Sequence, residues 1–109
     1  MNKARISAEF LQSKTKIQPK IGLVLGSGLG ALAEKISNKV AIPFSEILKF
    51  PQTTVEGHVG KMVFGHVEDV SVVISQGRVH YYEGYEYDEI VHIVRTFREL
   101  GVDIAIVTN

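Results

Sequence analysis

Apolar positions in this chain fall into runs of two periods, one near three and a half residues and one of two or fewer. Ile6, Phe10 and Leu11 form a helical stripe that Pro19 interrupts. The run from Ile21 to Leu25 reads as a strand, Gly26, Gly28 and Gly30 mark a turn, and Leu29, Leu32, Ala33 and Ile36 supply the apolar side of a short helix. A strand, a glycine turn and a helix in that order suit an anion, because the first N–H groups of a helix lack internal partners and point past the strand end. The stretch "VAIPFSEILKFPQTTVEGHVGK" contains Pro43 and Pro51 and is expected to alternate extended pieces with loops, since proline cannot donate to a central ladder. "MVFGHV" and "VSVVIS" then read as two strands joined through "EDV" into an antiparallel hairpin.

From Asp88 to Leu100 the spacing predicts a helix with Ile90, Val91, Val94, Phe97 and Leu100 on its apolar face and Gly101 as its terminator. The continuous apolar run Ile104 to Val107 is expected to be a parallel strand covered on both faces, with the loop where α/β folds usually bind ligands starting after Asn109. No internal repeat, low-complexity tract or linker divides residues 1–109, so the expectation is an α/β chain within one domain.

Composition narrows the function. Twelve basic residues balance twelve acidic ones over 109 residues, so no net field recommends nucleic acid or an anionic membrane as partner, and anion recognition has to be local. The absence of cysteine excludes disulfides, thiol chemistry and cysteine metal ligands. No segment has the length and apolarity of a membrane span, and "MNKARISAEFLQSKTK" lacks the pattern of a secretory signal; a cytoplasmic address is the expectation.

The chemistry-bearing residues gather in "QGRVHYYEGY", residues 76 to 85. Arg78 offers a planar, multiply donating fork to phosphate oxygens, and alternation beyond a strand end brings Arg78, His80 and Tyr82 toward one side. His80 can donate to a phosphate or sugar oxygen, Tyr82 can stack on a sugar, and Glu83 can orient a donor or a water. His58 stands between Gly57 and Gly60, a setting that suits either a hydrogen-bonded loop histidine or a backbone that closes on a ligand. His66 and His92 carry weaker warrants, the four histidines show no metal spacing, and no glutamate pair has glycosidase character. Gly26, Gly28 and Ala31 also satisfy the permissive dinucleotide pattern, with Glu46 twenty residues past Gly26, but Pro43 makes the following segment a poor second Rossmann strand. A P-loop is excluded because no Gly-Lys-Ser/Thr follows the glycines.

Four ordered stretches, "LGSGLG", "FPQTTVEGHVGKMVFG", "QGRVHYYEGY" and "GVDIAIVTN", resemble the amino-terminal part of the trimeric purine nucleoside phosphorylases. The resemblance implies a larger three-layer α/β phosphorylase fold with a mixed, partly barrel-like central sheet, of which residues 1–109 are the amino-terminal part. It implies phosphorolysis of ribo- and deoxyribonucleosides of purines in purine salvage, with inorganic phosphate as co-substrate and no cofactor. By motif, Ser27, Arg78 and His80 resemble phosphate ligands, Tyr82 the residue against the ribose, Glu83 the support of the phosphate network and His58 the histidine of the phosphate-side loop. Asn109 resembles the asparagine that precedes a phosphate-contacting alanine, and His80 and Glu83 take the catalytic roles. The family's purine-contacting glutamate and asparagine have no counterpart within these residues.

In that reading phosphate attacks the anomeric carbon while the bond to the purine breaks, and the cradle of Ser27, Arg78 and His80 holds the dianion against a cationic, sugar-like transition state. Two alternatives stand beside it: a methylthioadenosine phosphorylase, and a non-enzymatic nucleoside-binding or assembly fragment. The resemblance also implies a homotrimer for a longer protein and little activity for these residues alone.

Overall fold

A computed structural model describes residues 2–25, 30–50, 60–76 and 86–108. In chain order the elements are α1 (Lys3–Lys14), β1 (Ile21–Val24), α2 (Gly30–Glu34), β2 (Ser37–Pro43), a 3-10 turn (Phe44–Glu46), β3 (Lys61–Val67), β4 (Val70–Gln76), α3 (Glu86–Glu99) and β5 (Ile104–Val107).

Asn2 caps α1: its side-chain oxygen accepts the N–H groups of Ala4 at 2.9 Å and Arg5 at 3.4 Å, replacing partners that a first helical turn lacks. The buried side of α1 is Ala4, Ser7, Ala8 and Leu11, whereas Ile6 and Phe10 are only partly buried. Small side chains on that stripe let α1 lie against α3. On α3 the covered face is Ile93, Thr96 and Phe97, continued by Leu100, while Val91 and Val94 stay partly exposed. The helix ends where expected: Gly101 takes φ +88°, and the N–H groups of Gly101 and Val102 return to the carbonyls of Arg98 at 3.0 Å and Phe97 at 3.1 Å. Phe97 packs on β1 at Gly22, where a Cβ would stand only 2.7 Å from its Cε2. Only glycine leaves room for the ring.

The strands form one sheet in the order β2-β3-β4-β1-β5. β1 pairs in parallel with both β4 and β5, while β2–β3 and β3–β4 are antiparallel, the latter being the expected hairpin. The sheet is mixed, as expected, but it is open. β2 and β5 are its two edges and do not pair, so the partly barrel-like sheet implied by the resemblance is not what these residues build. Closure needs the last strand to hydrogen-bond the first, and here the whole breadth of the sheet separates them.

β2 ends in one of the extended pieces expected of this stretch; Asn38 at φ +56° and a register shift between Ser37 and Val40 break its alternation, and Pro43 ends it. One further expectation changes. β5 is a parallel strand, yet all its residues are exposed, so it is not covered on both faces. Among the described residues it has one neighbour, β1, and the helices pack farther along the sheet.

Side-chain alternation divides the core. One face carries Val24, Ile42, Met62, Phe64 and Val73 against Leu11, Ile93 and Phe97 of α1 and α3. The other gathers Leu25, Ile36, Val63, Val72 and Ile74, with Ile21 and Leu23 at its margin.

Candidate functional site

Parallel pairing sets β4, β1 and β5 in step, so that Val24 stands opposite both Ser75 and Val107. The ladder continues one residue further: Leu25 N–H donates to the Ser75 carbonyl at 3.0 Å, and Thr108 donates to the Val24 carbonyl through N–H and Oγ1, at 2.9 Å each. On the other side of β4, antiparallel register puts Lys61 opposite Gln76, and the Phe44 N–H donates to the Gly60 carbonyl at 2.9 Å. Leu25, Gly60, Gln76 and Thr108 therefore lie at one end of the sheet, the carboxyl end of its parallel strands. In open α/β sheets that is the ligand-binding end.

These four residues flank the stretches that hold every site residue expected from sequence. Ser27 follows Leu25, His58 precedes Gly60, Arg78, His80, Tyr82 and Glu83 follow Gln76, and Asn109 follows Thr108. All seven lie outside the described residues. What the structure contributes is the convergence of their attachment points, which local sequence cannot reveal because it depends on pairing between distant strands.

Other features of the sequence are placed directly. α2 has five residues, too few for its terminus to carry an anion site by itself. The segment after it is β2, an antiparallel edge strand far from β1, and Glu46 sits in the 3-10 turn; neither suits a dinucleotide unit.

His92 of α3 belongs to a buried polar link that sequence reasoning missed. Ser7 is fully buried, and its hydroxyl donates to the Leu48 carbonyl at 2.7 Å. Having spent its one proton there, Ser7 Oγ accepts from His92 Nε2 at 3.0 Å, which fixes Nε2 as the protonated nitrogen. Burial first, then the charges of Lys3 and Arg95, hold the His92 pKa below its usual value. The imidazole also meets Phe50 edge-on at 5.3 Å, and Phe50 stacks at a tilt on Phe44 at 4.6 Å. Thus α1, α3 and the segment leading from β2 toward β3 are tied together. The signal in sequence was faint: a serine on an apolar stripe at helical spacing.

Ser75, one residue before the end of β4, is fully buried, and its hydroxyl has no hydrogen-bond partner among the described residues. At the opposite end of the sheet His66 lies in an open cleft of about 430 Å³ with Lys16, Ile17, Gln18 and Ser71, remote from the converging strand ends. Among the described residues no group of three or more histidines, cysteines, aspartates or glutamates could hold a metal ion, and no helix is long and apolar enough to cross a membrane.

Comparison with known proteins gives a consistent likeness. The chain is 50% identical over 111 residues to purine nucleoside phosphorylase 1 of Geobacillus stearothermophilus, a match that covers 100% of this chain and 40% of that protein. Among solved structures, isoform 2 of purine nucleoside phosphorylase from Schistosoma mansoni, in complex with cytosine and ribose-1-phosphate, superimposes with a TM-score of 0.89 at 42% identity, over 98% of this chain and 38% of that one. A Schistosoma mansoni purine nucleoside phosphorylase in complex with inosine gives a TM-score of 0.87 at 41% identity, over 98% of this chain and 37% of that one. No protein-family model matches the chain. The chain spans about two-fifths of the length of the curated relative from Geobacillus.

Proposed function

Because this chain belongs to the purine nucleoside phosphorylase family, we propose that it forms the phosphate- and ribose-facing side of an enzyme that cleaves purine nucleosides with inorganic phosphate. The products are the free purine and ribose or deoxyribose 1-phosphate, in purine salvage. The observation that carries the proposal is the meeting of Leu25, Gly60, Gln76 and Thr108 at one end of the sheet. Each of these residues leads directly into a motif of phosphate- or sugar-binding character. In sequence, Ser27, His58 and Arg78 are each two residues from Leu25, Gly60 and Gln76. The inosine and ribose-1-phosphate bound by the Schistosoma proteins are a substrate and a product of this reaction.

The mechanism in this reading needs few parts. A phosphate oxygen attacks C1′ of the sugar as the C1′–N9 bond breaks, and the purine leaves with the bonding electrons. The Arg78 guanidinium, the Ser27 hydroxyl and the His80 imidazole orient the dianion, so attack proceeds from a fixed position and the dianion's charge stabilises the developing oxocarbenium. Tyr82 lies against the ribose, Glu83 holds the phosphate ligands in register, and His58 and Asn109 complete the phosphate side. The cytoplasmic setting and a homotrimeric assembly expected from the sequence are part of this reading, as is the placing of residues 1–109 within a single phosphorylase domain.

The test is phosphate-dependent purine release. A chimera joins this chain to the portion of the Geobacillus relative that it does not match, and is given inosine with and without inorganic phosphate. Hypoxanthine and ribose 1-phosphate in equal amounts, only when phosphate is present, are expected. Release of free ribose, or no release from a folded chimera, would overturn the assignment.

A further inference from the structure

The stretch 51–59, which contains His58, is flanked by two residues that both meet Phe44. Phe50, just before it, is buried, and its ring stacks at a tilt on the Phe44 ring with centroids 4.6 Å apart. Gly60, just after it, accepts the Phe44 N–H on its carbonyl at 2.9 Å, one step beyond the Pro43–Lys61 pair of β2 and β3. Phe44 therefore holds one flank through its ring and the other through its backbone.

The path from Phe44 to Phe50 is itself held from outside. After the 3-10 turn, Ile47 and Phe50 are buried while Leu48 and Lys49 are exposed. Lys49 takes φ +61°, a conformation that residues with a side chain adopt reluctantly and that persists where the surroundings impose it. The peptide between Leu48 and Lys49 is anchored by α1, because its carbonyl accepts the Ser7 hydroxyl at 2.7 Å. Ser7 Oγ in turn accepts from His92 Nε2 of α3 at 3.0 Å, and the His92 ring stands edge-on to Phe50 at 5.3 Å. One histidine thus supports both the unusual peptide and the buried ring. Ser7 is fully buried, so bulk water does not replace a partner lost there.

We propose that Ser7 and His92 are positioning residues for His58: they fix Leu48 and Phe50 against Phe44, and so set where the stretch carrying that imidazole begins. This role rests on the phosphorolytic reading, which puts His58 on the phosphate side. Neither residue acts on substrate itself. The effect falls on phosphate affinity rather than on the bond-breaking step, because a binding contact made equally before and in the transition state appears in KM and not in kcat.

The experiment uses the same chimera. Phosphate binding is measured by calorimetry without nucleoside, and both KM values and kcat by purine release. His92→Leu removes the N–H donor and is expected to raise Kd and KM for phosphate about fivefold or more, with kcat and KM for inosine within about twofold of the parent. His92→Gln keeps a donor toward Ser7 and should hold phosphate affinity within about twofold of the parent. Ser7→Ala should weaken phosphate in the same way, and it supplies the measurement if circular dichroism shows that His92→Leu does not fold. In a His58→Ala chimera, where the contact is already gone, His92→Leu should add nothing further.

Unchanged phosphate affinity in the folded variants overturns the proposal, as does a fall in kcat alone or a full additional loss in the His58→Ala background. Weakened phosphate binding in variants of a chimera that releases no purine would sink the proposed function and leave the positioning role standing. A folded parent chimera that binds no phosphate sinks both.

Discussion

The carbonyl of Val24 accepts both the backbone N–H and the hydroxyl of Thr108, at 2.9 Å each. The last residue of β1 and the residue leaving β5 are thereby locked at the sheet end where, in sequence, the glycine-rich stretch and Asn109 follow. Thr108→Val keeps the shape and the N–H bond but deletes the hydroxyl. It is expected to lower unfolding free energy by about 0.5–1.5 kcal/mol, read from urea titration of the 109-residue chain. No loss beyond error would mean that the hydroxyl does not hold the two ends together.

Phe97 of α3 packs so closely on Gly22 of β1 that a Cβ there would clash with its ring. Gly22→Ala forces the ring or the helix to shift, at a cost of about 1–3 kcal/mol. Phe97→Leu in the same molecule should recover part of that loss, although alone it destabilises by removing buried contacts. Additive effects in the double-mutant cycle would contradict a steric origin.

Ser7 is saturated by Leu48 and His92, so Ser7→Ala leaves a carbonyl and an imidazole N–H without their partner. A loss of about 1–3 kcal/mol is expected, more than Ser→Ala costs at an exposed helical site. Chemical denaturation of Ser7→Ala beside Ser13→Ala makes the comparison, since Ser13 is exposed on the same helix.

His92 gives stability a pH dependence of defined sign. Its folded pKa lies below the ordinary 6.5 because burial, Lys3 and Arg95 disfavour the cation. The unfolded chain then takes up the proton first as pH falls, so the contribution is whole above the unfolded value and is lost as pH drops through the depressed folded value. His92→Gln keeps a donor toward Ser7 but cannot titrate. The difference in stability between about pH 7 and about pH 5 should therefore be smaller in His92→Gln than in the parent, with the other histidines common to both. An equal or larger fall in the variant would place the titration elsewhere.

Periodicity made β1, the β3–β4 hairpin, α3 and its Gly101 terminus legible in the sequence. β2 was legible only as an extended piece from Val40, because Asn38 in the left-handed region and the register shift beside it destroy the alternation that would mark its start at Ser37. The buried face of α1 was misread because Ala4, Ser7 and Ala8 carry little hydropathy, although small side chains are what close helix packing requires. β5 was recognised as a strand but its environment was not, since a continuous apolar run reports that cover is wanted rather than that it is present. The candidate site residues were proposed from chemistry and from resemblance and lie outside the described residues, whereas the meeting of Leu25, Gly60, Gln76 and Thr108 belongs to long-range register, which no local pattern encodes.

The central claim is that these strand ends assemble a phosphate cradle, and Arg78, two residues beyond Gln76, tests it most directly. In the chimera, Arg78→Lys keeps the positive charge and removes the planar fork. The measurement is kcat/KM for phosphate at saturating inosine, with folding and oligomeric state checked by circular dichroism and sedimentation. The account predicts a loss of about tenfold or more, equivalent to at least about 1.4 kcal/mol of transition-state stabilisation, with a smaller change in nucleoside affinity. A folded Arg78→Lys chimera with unchanged kcat/KM for phosphate would remove Arg78 from the cradle and contradict the account.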